Sequence, residues 1–119
     1  MSKAKSQVTI YHNPRCSKSR EALTLLQQHG VEPKIIEYLK TPPSVTELRG
    51  LLRALGMKPA DLVRTGEEVF KTEFKQRILS DAEWIGALVE HPILIERPIV
   101  VVGGKAVVGR PPEKVLELL

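Results

Sequence analysis

Residues 8–20 read Val-Thr-Ile-Tyr-His-Asn-Pro-Arg-Cys-Ser-Lys-Ser-Arg. Apolar and polar side chains alternate at the start of this stretch, which predicts a short strand from Val8 to Tyr11, and His12-Asn13-Pro14 then interrupts it. From Ser17 onward the spacing of apolar residues becomes helical. The single cysteine of the chain, Cys16, is therefore predicted to lie between the first strand and the first helix.

The elements that follow predict an α/β domain. The first helix ends near Gly30, a typical C-terminal glycine, and Lys34–Leu39 predicts a second strand parallel to the first. Ser44 and Ser80 each precede a glutamate by three residues, a capping box that opens a helix. Gly103-Gly104 predicts a hairpin between two apolar strands. The order β-α-β, helical insert, β-β-α is typical of a thioredoxin-like fold, a mixed sheet flanked by helices with an antiparallel edge strand.

The helices after the second strand are predicted from their apolar faces. Between the two capped helices, Met57 to Leu79 predicts short helical pieces, and Pro111-Pro112 begins a last helix. The predicted inner face of the helix after Ser44 is Val45, Leu48, Leu51, Leu52 and Leu55. That of the helix after Ser80 is Trp84, Ile85, Leu88 and Val89, and that of the last helix is Val115, Leu116, Leu118 and Leu119.

Size and composition limit the possible functions. With 119 residues and 42% hydrophobic content, the chain fits one domain, residues 1–119, in which residues 1–6 are expected to be a flexible N-terminus. The net charge of +4 would suit nucleic acid, but the aromatic content of 4% offers few rings on which bases stack, so nucleic-acid binding is not expected. The apolar runs Val8–Tyr11 and Ile99–Val102 are too short for a signal peptide or a membrane span. We expect a soluble cytoplasmic protein.

The surroundings of Cys16 favour a reactive thiol. One cysteine excludes an internal disulfide and leaves three interpretations: a buried inert thiol, a nucleophile, or a partner in a mixed disulfide. Free N–H groups at a helix N-terminus favour an anion, and His12, Arg15, Lys18 and Arg20 add positive charge nearby in sequence. Such surroundings lower the pKa of a thiol from about 8.5 to about 3.5–7.5. The same N–H groups can bind an oxyanion.

Three arginines further along the chain are candidates for binding that oxyanion. Arg97 precedes Pro98 at the start of the third strand, and Arg110 follows the fourth strand, so both ends of the hairpin carry a guanidinium. Arg64 lies in the irregular segment. The planar guanidinium donates two parallel hydrogen bonds to a tetrahedral oxyanion. Solvated surface charge is the alternative interpretation for each of these arginines.

The sequence resembles the glutaredoxin-coupled arsenate reductase family, often called ArsC. The resemblance is carried by residues 8–20, by His-Pro-Ile-Leu-Ile-Glu-Arg-Pro-Ile-Val-Val at residues 91–101, and by Gly109-Arg110-Pro111. In detail the chain is most similar to the shorter, YfgD-type branch, in Asn-Pro-Arg-Cys-Ser-Lys-Ser-Arg at residues 13–20 and Gly-Arg-Pro-Pro-Glu at residues 109–113. It ends at Leu119, without the C-terminal extension of longer members.

The resemblance implies a role for each matching residue. Cys16 would be the nucleophile and His12 would help to lower its pKa. Pro98 would match the cis-proline that lies opposite the active thiol in thioredoxin-like folds. The family's three arginines, which hold arsenate and stabilise the thiol-arsenate adduct, would match Arg64, Arg97 and Arg110.

The resemblance also implies the reaction. Arsenate would be reduced to arsenite, with glutathione as co-substrate and glutaredoxin as the partner that resolves the mixed disulfide on Cys16. No tightly bound cofactor, no metal and no oligomer are expected. Two alternatives stay open: a general glutathione-linked thiol oxidoreductase, and a non-catalytic regulator that binds RNA polymerase, as Spx proteins do. Spx proteins usually carry a second cysteine where this chain has Ser19.

Overall fold

The computed structural model describes residues 7–119; the expected flexible N-terminus, residues 1–6, lies outside the described residues. The four predicted strands, the predicted first helix and the two predicted capped helices are all present. The strands are β1 (Val8–His12), β2 (Lys34–Glu37), β3 (Ile99–Val102) and β4 (Lys105–Val108), and the α-helices are α1 (Ser17–Gln28), α2 (Val45–Leu55), α3 (Glu68–Glu73) and α4 (Asp81–Glu90). Short 3₁₀ helices span Pro59–Leu62, Pro92–Leu94 and Pro112–Leu118.

The four strands form one mixed sheet in the order β2-β1-β3-β4. β1 is parallel to β2 and antiparallel to β3, and β4 is antiparallel to β3 at the edge. The hairpin turns at Gly103, whose φ of 62° is accessible to glycine without strain. The predicted thioredoxin-like order, including the antiparallel edge strand, is confirmed.

Helices cover both faces of the sheet. On one face α1 and the C-terminal 3₁₀ helix enclose a small core, whose buried residues are Ile10, Ala22, Leu26, Val100 and Val115. On the other face α2 and α4 enclose a larger core that includes Leu48, Leu62, Leu88, Leu94 and Ile99. Both predicted capping boxes are present, with the backbone N–H of Glu47 donating to Ser44 and that of Glu83 donating to Ser80. They fix where α2 and α4 begin.

Several predicted details are wrong. β2 ends at Glu37 rather than Leu39, because the chain turns there and the N–H of Lys40 donates to the carbonyl of Glu37 at 2.9 Å. The last helix is 3₁₀ rather than α, and its buried residues Pro112 and Val115 are three positions apart, as the repeat of a 3₁₀ helix requires.

Two residues assigned to inner faces are exposed. The first residue of α2, Val45, is 43% exposed, and the last residue of the chain, Leu119, is 53% exposed. Each stands at the end of its segment, where no neighbouring element covers it. Within residues 7–119, no helix combines the length and apolar character needed to cross a bilayer.

Candidate active site

Cys16 is the N-cap residue of α1, as the sequence predicted. The turn before it is held by Asn13, whose carbonyl accepts from the N–H of Cys16 at 2.9 Å and whose side-chain oxygen accepts from the N–H of Arg15 at 3.0 Å. The thiol is half-buried and makes no capping hydrogen bond to the helix backbone. Its sulfur is therefore available beside the free N–H groups of the first helical turn.

The pKa of the Cys16 thiol is lowered. Burial acts in the opposite direction, but it is outweighed by the nearby backbone N–H of Ser19, the guanidinium of Arg97 and the backbone N–H of Lys18, all of which favour the thiolate. The lowering thus comes from the helix N-terminus, as expected, and from an arginine far away in sequence. Arg15 and Arg20, expected to contribute as neighbours, are exposed and are not among the main causes of the lowered pKa.

His12 is buried at the end of β1, and its Nδ1 lies 2.7 Å from Oγ of Ser19. Burial lowers the pKa of His12, with Glu37 raising it and Arg20 lowering it by smaller amounts, so the neutral imidazole is favoured. The expectation that His12 adds positive charge is therefore wrong. The hydroxyl of Ser19 also accepts from the N–H of Asn13 at 3.1 Å. His12 thus contacts the residue whose backbone N–H stabilises the thiolate.

The structure brings Arg110 and Arg97 to Cys16. Nη2 of Arg110 donates to Sγ of Cys16 at 3.5 Å, and its Nε donates to the carbonyl of Arg97 at 2.8 Å. Arg97 is buried, and its Nη1 donates to the carbonyl of Ile93 at 3.1 Å. Both ends of the hairpin meet at the thiol because β3 is the direct neighbour of β1.

Arg64 reaches the same cluster through a short antiparallel bridge between Val63 and Ile95. The N–H of Arg64 donates to the carbonyl of Leu94 at 2.7 Å, and the N–H of Glu96 donates to the carbonyl of Leu62 at 2.9 Å. This bridge fixes the irregular segment against the start of β3. It places Arg64 beside the residues that precede Arg97.

Two carboxylates link the three arginines, and the sequence analysis missed both. Glu96 lies 3.2 Å from Nη1 of Arg64 and 3.5 Å from Nε of Arg110. Glu67 lies 3.1 Å from Nε of Arg64 and 3.5 Å from Nη1 of Arg97. The three-residue spacing of Arg64 and Glu67 signals one of these pairs, but nothing in the sequence shows that each glutamate is shared by two arginines.

The Arg97–Pro98 bond is cis, as predicted, and so is the Arg110–Pro111 bond, which the sequence analysis did not predict. Pro98 is buried just before β3, and its carbonyl accepts from the N–H of Gly109 at 2.8 Å. A side chain at Gly109 would come within 3.0 Å of Pro98 and of Val115. Glycine is needed there because the two chain segments approach so closely.

A thiol with a lowered pKa and three guanidiniums lie together, although 94 positions separate Cys16 from Arg110. Guanidiniums bind tetrahedral oxyanions, and a thiolate attacks their central atom, so the cluster suits oxyanion chemistry. Within residues 7–119, no group of three or more His, Cys, Asp or Glu side chains is arranged to hold a metal ion. The groove formed by β1, β2 and α2 is lined by other residues, among them Tyr11 and Glu47.

Comparison with known proteins identifies the family of the chain. The pattern of the ArsC family matches residues 11–118. The protein named uncharacterized protein YfgD of Escherichia coli K12 is 53% identical over 95% of this chain and 97% of its own length. The arsenate reductase of Haemophilus influenzae is 49% identical over 94% of this chain and 98% of its own length.

Solved structures give the same result. The structure described as arsenate reductase from Vibrio cholerae is 50% identical, with a TM-score of 0.91 over 98% of this chain and 100% of that chain. The structure described as a putative arsenate reductase from Yersinia pestis is 53% identical, with a TM-score of 0.88 over 93% of this chain and 99% of that chain. Sequence and backbone agree over nearly the whole length.

Proposed function

The chain belongs to the ArsC family, and from this premise we propose that it is an arsenate reductase whose nucleophile is the Cys16 thiolate and whose electron donors are glutathione and glutaredoxin. The observation that carries the proposal is the contact of Arg110 with Cys16 at 3.5 Å, inside a cluster that also contains Arg97 and Arg64. Arginines that only carry surface charge need not lie next to one another or next to a thiol. A site that binds an oxyanion for attack by a thiolate needs both.

In the first step arsenate binds among the arginines and the Cys16 thiolate attacks arsenic. A sulfur–arsenic bond forms, and one arsenic–oxygen bond breaks with its electron pair leaving on oxygen, which takes up protons and departs as water. The guanidiniums of Arg64, Arg97 and Arg110 offset the charge on the remaining oxygens. His12 acts through Ser19, by holding the N–H that stabilises the thiolate before attack.

In the second step a glutathione thiolate attacks the sulfur of Cys16. A disulfide forms between Cys16 and glutathione, and the electron pair of the sulfur–arsenic bond passes to arsenic, which leaves as arsenite. The two sulfurs are oxidised and arsenic is reduced by two electrons. A glutaredoxin thiolate then attacks the glutathione sulfur and releases the Cys16 thiolate. The second thiol comes from another molecule because this sequence has one cysteine.

We place this reaction in the cytoplasm, where glutathione is kept reduced, and expect the protein to act as a monomer without a bound cofactor. The supporting argument is chemical: a catalytic thiol that ends each cycle as a mixed disulfide needs a reducing compartment. Sedimentation of the purified protein would test the monomer.

The test is a coupled assay with arsenate, glutathione, glutaredoxin and NADPH. Replacing Cys16 with Ser should abolish turnover, and Arg97→Ala or Arg110→Ala should lower kcat/KM by roughly 100- to 1,000-fold, as expected for loss of an oxyanion donor. Lysine should rescue only in part, since it lacks the bidentate fork. The control is Arg49→Ala, on the exposed side of α2, which should behave as wild type.

Three other results would contradict the proposal or its arginine pocket. Turnover of a glutathione mixed disulfide without any reduction of arsenate would indicate a general thiol oxidoreductase. An inactive protein that binds RNA polymerase would indicate the regulator. Arsenate reduction within about twofold of wild type in both alanine variants would remove the arginine pocket from the mechanism, given the loss of about 100-fold that a missing donor causes.

A further inference from the structure

Two buried side-chain atoms within residues 7–119 have no hydrogen-bond partner: the hydroxyl oxygen of Tyr38 and Nε of Arg97. Buried polar groups in folded proteins are nearly always paired, so each exception calls for an explanation, such as a ligand. Arg97 is one of the three clustered arginines. Tyr38 has no role in the mechanism described above, although it is only 1% exposed.

The strand register places Tyr38 at the edge of the sheet where the active-site turn begins. β1 and β2 are parallel and pair His12 with Glu37, so the next residues, Asn13 and Tyr38, leave the sheet side by side. The Asn13 side chain lies close enough to lower the pKa of Tyr38, but within residues 7–119 no group, Asn13 included, is placed to form a hydrogen bond with the hydroxyl.

The charges of the active site also reach the Tyr38 hydroxyl. Burial raises the pKa of Tyr38 to about 12, while Arg97 and Arg64 lower it and Cys16 raises it by smaller amounts. The hydroxyl therefore stays protonated at neutral pH and keeps its donor hydrogen. The ring is 1% exposed and belongs to the larger core, which limits its freedom to turn elsewhere.

We propose that Tyr38 is a further substrate-binding residue, whose hydroxyl donates a hydrogen bond to one oxygen of the tetrahedral oxyanion while the Nε–H of Arg97 donates to another. This inference rests on the proposed function. An oxyanion that replaces Glu67 and Glu96 as the partner of the arginines brings acceptors to both unpaired donors at once. Because a hydroxyl can also accept a hydrogen bond, Tyr38 suits an oxyanion that retains a proton, which a guanidinium cannot recognise.

The test uses Tyr38→Phe, which keeps the ring and removes the hydroxyl, and Tyr11→Phe as the matched control. Tyr11 is the other tyrosine of the chain and lies in the groove of β1, β2 and α2. The measurement is the protection of Cys16 from iodoacetamide by increasing arsenate at pH 7 and constant ionic strength. We expect Tyr38→Phe to weaken the apparent affinity for arsenate by roughly 10- to 100-fold, the effect of losing a hydrogen bond to a charged group.

Two companion readouts separate a binding role from a packing role. The alkylation rate of Tyr38→Phe without arsenate should match that of wild type, and its midpoint of urea unfolding should be equal or higher, because an unpaired buried hydroxyl is removed. Tyr11→Phe should retain wild-type affinity for arsenate.

Three other outcomes would contradict the proposed role of Tyr38. If arsenate protects wild type and Tyr38→Phe equally, Tyr38 is a core residue only and the proposed function stands without it. If Tyr38→Phe unfolds more easily, the hydroxyl has a partner in the core and the premise is wrong. If arsenate does not protect wild type, the proposed function fails and this inference fails with it.

Discussion

Individual residues at the active site act through contacts that differ from those that their sequence neighbours suggest. Arg15 and Arg20 flank Cys16 but are exposed, whereas Arg97 lowers its pKa from the opposite end of the chain. His12 has a lowered pKa because it is buried, and it contacts Ser19 rather than adding charge. The thiolate is stabilised mainly by directed N–H donors, which need correct orientation as well as proximity.

This arrangement predicts the alkylation behaviour of Cys16. Because its pKa is lowered, the thiolate fraction at pH 6 should exceed that of a free cysteine, whose pKa is about 8.5, and iodoacetamide should react correspondingly faster. His12→Ala should raise the pKa by loosening Ser19, so its rate should fall at pH 6 and approach wild type at high pH, where both thiols are ionised. The control His29→Ala, at the exposed end of α1, should leave the profile unchanged. A pH profile of alkylation with a midpoint at or above about 8.5 would rule out the activated thiol.

At the scale of elements, the hairpin β3–β4 places the arginines. Arg97 stands just before β3 and Arg110 just after β4, and Gly109 closes the hairpin by donating its N–H to the carbonyl of Pro98. The hairpin ends are thus fixed to each other next to the C-terminal 3₁₀ helix. Their close approach leaves no room for a Cβ at Gly109 without movement of Pro98 or Val115.

We therefore expect Gly109→Ala to destabilise the protein by about 1–3 kcal/mol through overpacking, and to lower activity as the arginines shift. The matched control is Gly86→Ala within α4, where the added Cβ meets nothing within 4 Å and alanine should stabilise by about 0.5–1 kcal/mol. Urea unfolding of both variants measures the two free energies of unfolding. Equal stability of Gly109→Ala and wild type would show that Pro98 and Val115 yield without cost.

At the scale of the whole molecule, the site joins three distant parts of the chain. The turn before α1 supplies the thiol, the segment before α3 supplies Arg64 and Glu67, and the hairpin supplies Glu96, Arg97 and Arg110. The two carboxylates neutralise part of the charge of the arginines and reduce their mutual repulsion. A bound oxyanion would take over this role.

Binding of an oxyanion to the arginines should raise the melting temperature of the protein, because the ligand stabilises the folded state. Arsenate that binds only the folded state stabilises by roughly 2.7 kcal/mol at 100 times its Kd, so Tm should rise with arsenate at constant ionic strength. Arg97→Ala should lose most of the shift. Glu96→Gln should enlarge it, since the competing charge is removed while an acceptor oxygen remains. An equal arsenate-dependent shift in wild type and Arg97→Ala would mean that arsenate binds elsewhere.

The sequence by itself determined the order of the elements and the place of Cys16. Gly30, the capping boxes at Ser44 and Ser80, and the hairpin glycines act on backbone groups within a few residues, so their effects can be recognised locally. Only the tertiary structure decided which side chains meet: the register of β1 with β2 brings Tyr38 beside Asn13, and the bridge at Val63 and Ile95 brings Arg64 to Arg97 through Glu67. Such contacts depend on strand pairing between distant segments, and neither composition nor local spacing contains that pairing.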